Sequence, residues 1–115
     1  MKRAIRYLLL SLLLVVVGLE VYAAAYTVAE IPHVQLADRT RYTANPDGIL
    51  SDDAVRTIDF ICDTLRTGGY AEVAVVAVDA IASDDVFSFA IDLFSEWGVG
   101  RAEGDNGLGI LLVEG

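Results

Sequence analysis

The sequence predicts an α/β domain built on a small, mostly parallel sheet, and three observations lead there. Ala71 to Val78 (Ala-Glu-Val-Ala-Val-Val-Ala-Val) is β-branched, almost wholly apolar and not alternating, the pattern of a strand buried on both faces. Leu108 to Val113 is a second short apolar run. Two stretches with apolar residues at helical spacing accompany these runs, one before the first and one between the two, giving the order α, β, α, β. A strand, helix, strand unit of this kind makes a right-handed crossover with parallel strands. Periodicity alone leaves open whether the two helices share one face of the sheet or cover opposite faces.

The chain has 115 residues, room for one domain. Its first 25 read as an export signal. Lys2, Arg3 and Arg6 form a basic start, Tyr7 to Leu19 an apolar stretch broken only by Ser11 and Gly18, and Ala23-Ala24-Ala25 supplies small residues for a peptidase. Cleavage is expected before Tyr26 or a residue or two earlier. The alternative is an uncleaved membrane anchor, but a spanning helix needs about 20 apolar residues and Glu20 interrupts this one. Residues 26–115 are then the domain, exported to a periplasm or to the outer face of a membrane.

Removing residues 1–25 takes three of the eight basic residues and one of the seventeen acidic ones. Five against sixteen remain, a net charge of −11 with no lysine. Such a surface repels phosphate backbones and anionic headgroups, which argues against nucleic acid and for divalent cations as small partners. The same acidity also serves to keep an exported domain soluble.

Tyr26 to Arg41 is a lead-in in which Ile31-Pro32 favours an extended start and leaves room for a short edge strand. Asn45-Pro46-Asp47-Gly48 is a turn. Ser51 is placed to cap the first helix, with Asp52 and Asp53 in its first turn and Val55, Ile58, Cys62 and Leu65 on its buried face; Gly68-Gly69 stops it. Ser83 or Asp84 is expected to cap the second helix, whose core stripe is Val86, Ala90, Leu93 and Trp97, widened by Phe87 and Phe94. With two clear strands and room for an edge strand, the sheet is thin. The sequence reads as the N-terminal portion of a larger α/β domain whose C-terminal part is missing.

The segment with most chemical content joins the second helix to the second strand. Gly98 to Gly107 is ten residues long, carries four glycines and holds Asp105 beside Asn106. Connections of this kind usually run two to six residues. Asp105 and the side-chain carbonyl of Asn106 are hard oxygen donors for calcium or magnesium, with Gly107 allowing close backbone approach. The competing reading is a plain Asn-Gly turn ahead of a strand. A second oxygen-rich set, Asn45 and Asp47 with Asp52 and Asp53, lacks the EF-hand spacing and is explained equally by turn and cap. Asp79 ends the first central strand, and Asp84-Asp85 reads as capping. Topology places Asn45, Asp47 and Asp79 at the carboxyl edge of the sheet and Asp105 at the amino edge. Cys62, the only cysteine, is expected to be a buried inert thiol, and His33 has no second histidine with which to share a metal.

Tyr42-x-x-Asn45-x-Asp47-Gly48-Ile49-Leu50-Ser51, the strand Val73 to Val78, Phe94-x-x-Trp97-Gly98-Val99-Gly100 and Asp105-Asn106-Gly107 follow one another in an order that resembles the TPM domain. That family includes a thylakoid-lumen acid phosphatase involved in photosystem II repair and many exported bacterial proteins. The resemblance runs from about Ile31 to Gly115. It implies a three-layer α/β/α sandwich, divalent-cation binding by some members and a phosphatase-like activity in the plant branch. Asp105, Asn106 and Gly107 take the family's Asp-Asn-Gly, while Asn45 stands where many members have aspartate. The family domain continues with an antiparallel strand and helices. Two functional expectations follow: a cation-binding domain with phosphoester hydrolysis as its implied activity, or a non-catalytic envelope module that assists assembly or turnover of membrane proteins.

Overall fold

In the computed structural model, residues 25–100 and 106–115 are described. All but the last residue of the expected export signal, and Asp105, lie outside them. The described elements are a 3-10 turn at Val28–Glu30, α1 (Val34–Ala37), β1 (Thr43–Ala44), α2 (Asp52–Thr67), β2 (Glu72–Val78), α3 (Val86–Glu96) and β3 (Gly107–Val113). The strands form one parallel sheet in the order β1-β2-β3, with Thr43 beside Val75 and Glu72 through Val78 beside Gly107 through Val113. The edge strand lies at Thr43–Ala44, just after the lead-in expected to hold it; within the lead-in, Tyr26 makes only an isolated bridge to Ile81. Among the described residues no helix is long and apolar enough to cross a membrane.

The pleat of β2 decides the layers. Val76 and Val78 pack with Ala44, Ile31, Val34 and, from α3, Phe89 and Leu93. Val73 and Val75 point the other way, onto Cys62, Ile58 and Leu65 of α2 together with Tyr42. The helices therefore cover opposite faces, and the domain is an α/β/α sandwich. Burial on both sides explains why β2 does not alternate: every residue from Val73 to Val78 is buried.

Local chemistry sets the helix starts. Ser51 Oγ accepts the Ala54 N–H at 3.1 Å, and Asp52 and Asp53 sit where the helix dipole favours negative charge. For α3 the cap is Asp85, one residue beyond the expected Ser83 or Asp84. Its carboxylate accepts the Ser88 N–H at 3.1 Å and the Ser88 hydroxyl at 2.8 Å, while Ser83 Oγ accepts the Asp85 N–H. The buried stripe of α3 is correspondingly Phe89 and Leu93, with Val86 and Phe87 exposed. Of the expected stripe, Leu93 is buried and Phe94 and Trp97 pack against the core; only its first turn differs, where Phe89 is buried in place of Val86 and Phe87.

A polar seam ties β1 to α2. Asp59 Oδ1 accepts the Tyr42 N–H and the hydroxyl of buried Thr43, each at 2.9 Å, and Asp63 Oδ1 accepts the Tyr42 hydroxyl at 2.8 Å. Arg66 Nε donates to the same Tyr42 oxygen. A two-residue strand has little ladder of its own, and these carboxylates replace it.

Candidate functional site

The two oxygen-rich clusters occupy opposite ends of the sheet. At the carboxyl end, Asn45 closes its turn on Leu50: Oδ1 accepts the Leu50 N–H at 3.0 Å and Nδ2 donates to the Leu50 carbonyl at 2.8 Å. Asp47 uses both carboxylate oxygens, accepting the Tyr26 hydroxyl at 2.8 Å and the Asp79 N–H at 2.9 Å. The Asp47 carboxylate raises the Tyr26 pKa above its ordinary value, chiefly through this hydrogen bond. The Asp79 carbonyl accepts the Gly115 N–H. Asn45, Asp47 and Asp79 thus knit the turn, the lead-in and the ends of β2 and β3 together.

At the amino end stands Asn106. Its backbone carbonyl accepts the Glu72 N–H at 3.0 Å, and Nδ2 donates to the Tyr70 carbonyl at 3.2 Å. The amide is fixed through its nitrogen, leaving Oδ1 as the acceptor with no donor among the described residues. Seven residues of β2 separate this end from Asp47, about 20 Å at strand rise. The structure therefore brings Asn45 and Asp47 together and keeps Asn106 apart from them. Among the described residues, no three His, Cys, Asp or Glu side chains converge to hold a metal ion.

The glycine-rich loop is pinched at its base. Gly100 has φ +79°, and a Cβ built on Gly107 would lie 2.4 Å from Gly100 Cα and 2.5 Å from its nitrogen. Two backbones meet here with no room for a side chain. The sequence reads Gly107 as allowing backbone approach to an ion; the contact it is seen to make is with Gly100.

Beside this end lies a cleft of about 550 Å3, walled by His33, Gln35, Arg39, Arg66, Glu72 and Trp97. The His33 imidazole stacks on the Trp97 indole, and its partial burial lowers its pKa. Sequence spacing gives no sign of this pairing, since 64 positions separate the two rings. Arg66 is engaged by Tyr42 and by Asp63, and Arg56 by Asp53. Cys62 is buried, and that burial, with the nearby Asp59 charge adding to it, pushes its thiol pKa up, as expected for an unreactive cysteine.

Comparison with known proteins agrees with the fold. The TPM domain family model matches residues 44–114. Among solved structures, the chain resembles the solution NMR structure of the N-terminal domain of a protein from P. gingivalis. That likeness has 32% identity, a TM-score of 0.70 and coverage of 80% of this chain. The chain spans 59% of the length of that structure. No curated protein matches. With the family model covering well over half its residues and the strand order and layers described above, the chain belongs to the TPM domain family.

Proposed function

We propose that the chain is an exported TPM-type domain that binds a divalent cation, calcium or magnesium, through Asp105 and Asn106 at the amino edge of the sheet. The observation that carries this reading is the tethering of Asn106. With Nδ2 held on Tyr70 and the backbone held on Glu72, its side-chain carbonyl is oriented before any ligand arrives, next in sequence to a carboxylate. Preorganised oxygen donors are what a hard cation requires. The acidity of the mature chain adds a favourable long-range field. Asn45 and Asp47 are too far away to join this site and already serve the carboxyl edge; a cation held there would be a separate one. Export rests on the basic, apolar, small-residue order of residues 1–25.

Phosphoester hydrolysis is the activity that family membership suggests, with the cation polarising phosphoryl oxygens and activating water. The alternative is a non-catalytic envelope module that assists assembly or turnover of membrane proteins. Arg56 and Arg66 are each paired with an aspartate, whereas Arg39 lines the cleft at the amino end, where an anionic group could meet it.

A calcium titration of the 15N-labelled chain by NMR tests the cation site. Saturable shifts confined to 98–107, abolished in Asp105→Ala, are expected. No saturable shift up to about 10 mM, beyond the weak range of extracellular sites, rejects it. Equal phosphoester turnover by wild type and Asp105→Ala would remove Asp105 from the chemistry.

A further inference from the structure

Two opposite charges line the amino-end cleft without meeting. Arg39 stands in the turn between α1 and β1, and Glu72 is the first residue of β2. Among the described residues neither makes an ion pair, with the other or with a third group. Arg66, the second guanidinium of the cleft, is already held by Asp63 and by the Tyr42 hydroxyl. His33 is neutral at pH 7, because partial burial lowers its pKa. The described walls therefore offer one unanswered positive charge and one unanswered negative charge, and their sum is zero.

The rest of the lining is apolar, planar or amide. Trp97 is stacked by His33 on one side and met edge-on by Phe94, so the indole is fixed before anything binds. Leu36 borders the same space and is 81% exposed. Gln35 adds an amide that both donates and accepts. The volume of about 550 Å3 is that of a small-molecule site. No wall comes from β3 or from its outer edge. The cleft is built by α1 and the residues flanking it, the C-terminal ends of α2 and α3 and the start of β2.

We propose that this cleft binds a zwitterionic ligand with an apolar body: an α-amino acid or short peptide carrying an aromatic or aliphatic side chain. The carboxylate pairs with Arg39, the ammonium group with Glu72, and the side chain lies against Trp97 and Leu36. Charge count selects this class. A phosphate dianion would meet one unengaged guanidinium and be opposed by Glu72 and by the net charge of −11 on residues 26–115. A divalent cation would meet one carboxylate and two guanidiniums. A purely apolar molecule would cover Arg39 and Glu72 and leave both without partners, a cost that its contacts do not offset. A zwitterion answers both charges with charge-assisted hydrogen bonds and has no net charge for the acidic surface to repel. None of these residues belongs to the cation site proposed at Asp105 and Asn106, so failure of that reading leaves this one standing.

Trp97 is the only tryptophan of the chain, so its fluorescence reports on the cleft directly. L-phenylalanine and the dipeptide leucyl-phenylalanine are titrated into the full chain, once with calcium and once with EDTA. A saturable change with a Kd below about 10 mM is expected for at least one probe, equal in both buffers. The stronger of the two tells whether the cleft takes amino acids or peptides. The N-acetyl and the C-terminal amide forms of the better probe each lack one charge. They should bind at least about tenfold more weakly, the loss of one hydrogen bond to a charged group. Arg39→Gln should weaken the zwitterion but not its amide, and Glu72→Gln the zwitterion but not its N-acetyl form. Both positions are solvent-accessible, and Arg56→Gln, away from the cleft, should bind as wild type does. No saturable change with either probe up to about 10 mM, or equal binding of the blocked forms, overturns the proposal. So does binding that vanishes in EDTA, or phenyl phosphate binding more tightly than either zwitterion.

Discussion

The imidazole of His33 lies flat on the indole of Trp97, with ring centroids 4.5 Å apart and planes 2° from parallel. The stack fastens the lead-in before α1 to the C-terminal end of α3, and Phe94 meets the same indole edge-on at 6.1 Å. It makes stability depend on pH. Partial burial holds the His33 pKa below its ordinary 6.5, so in the window just under that value the unfolded chain binds more protons than the folded one. Stability is fully present above about pH 6.5 and falls as pH drops toward the folded value, then levels off. The lowered carboxyl pKa values of Glu30, Asp38 and Asp85, set mainly by hydrogen bonds, act separately, removing stability below about pH 4. Urea melts between pH 5 and pH 7.5 should show the histidine step in wild type, and His33→Phe should abolish it while keeping the stack.

Asp59→Ala should be among the most damaging changes outside the apolar core. It removes the acceptor for buried Thr43 and for the Tyr42 amide at once. Hydrogen bonds to a charged group contribute about 1.5–3 kcal/mol each, and an orphaned buried donor adds to the loss. A destabilisation of at least about 2 kcal/mol in chemical denaturation is expected, with amide exchange at Thr43 and Ala44 accelerated first.

Ser51→Ala removes the α2 cap and should destabilise by about 1 kcal/mol. For a domain of this size that corresponds to a fall in Tm of roughly 4–8 °C. Ser51→Asp should retain most of the wild-type value in the same thermal scan.

Gly109 is needed for packing. A Cβ there would lie 2.2 Å from Phe94 Cδ2, so Gly109→Ala forces the ring out of its place against β3. Overpacking of this kind costs about 1–3 kcal/mol. Phe94→Leu combined with Gly109→Ala should be less destabilising than the two single changes predict, and a double-mutant cycle measures the difference.

The parts of the fold carried by runs and periods were legible in the sequence. The continuous apolar pattern of Val73 to Val78 announced a strand covered on both sides, and the Ser51 cap and Cys62 face follow from local spacing. The parts made by long-range polar contacts were not. Thr43–Ala44 is too short to show a strand period, and it exists because Asp59 and Asp63, two ordinary-looking helix acids, reach back to it. The stripe of α3 held at Leu93, Phe94 and Trp97, and only its first turn was misplaced, because periodicity shows that a helix has an apolar face but not which of its end residues reach the core. At the candidate site, the separation of Asn106 from Asn45 and Asp47 followed from topology. The engagement of Asn45 and Asp47 by Leu50, Tyr26 and Asp79 needed coordinates, since those partners lie between 5 and 32 positions away.

The contact between Gly100 and Gly107 makes entry to and exit from the intervening segment a single point on the molecule. A segment tethered at one point can be exchanged or lengthened with only a logarithmic entropic penalty, because the ends are already joined whatever lies between them. Residues between the two glycines can thus be replaced without disturbing the sandwich beneath, so long as both glycines stay.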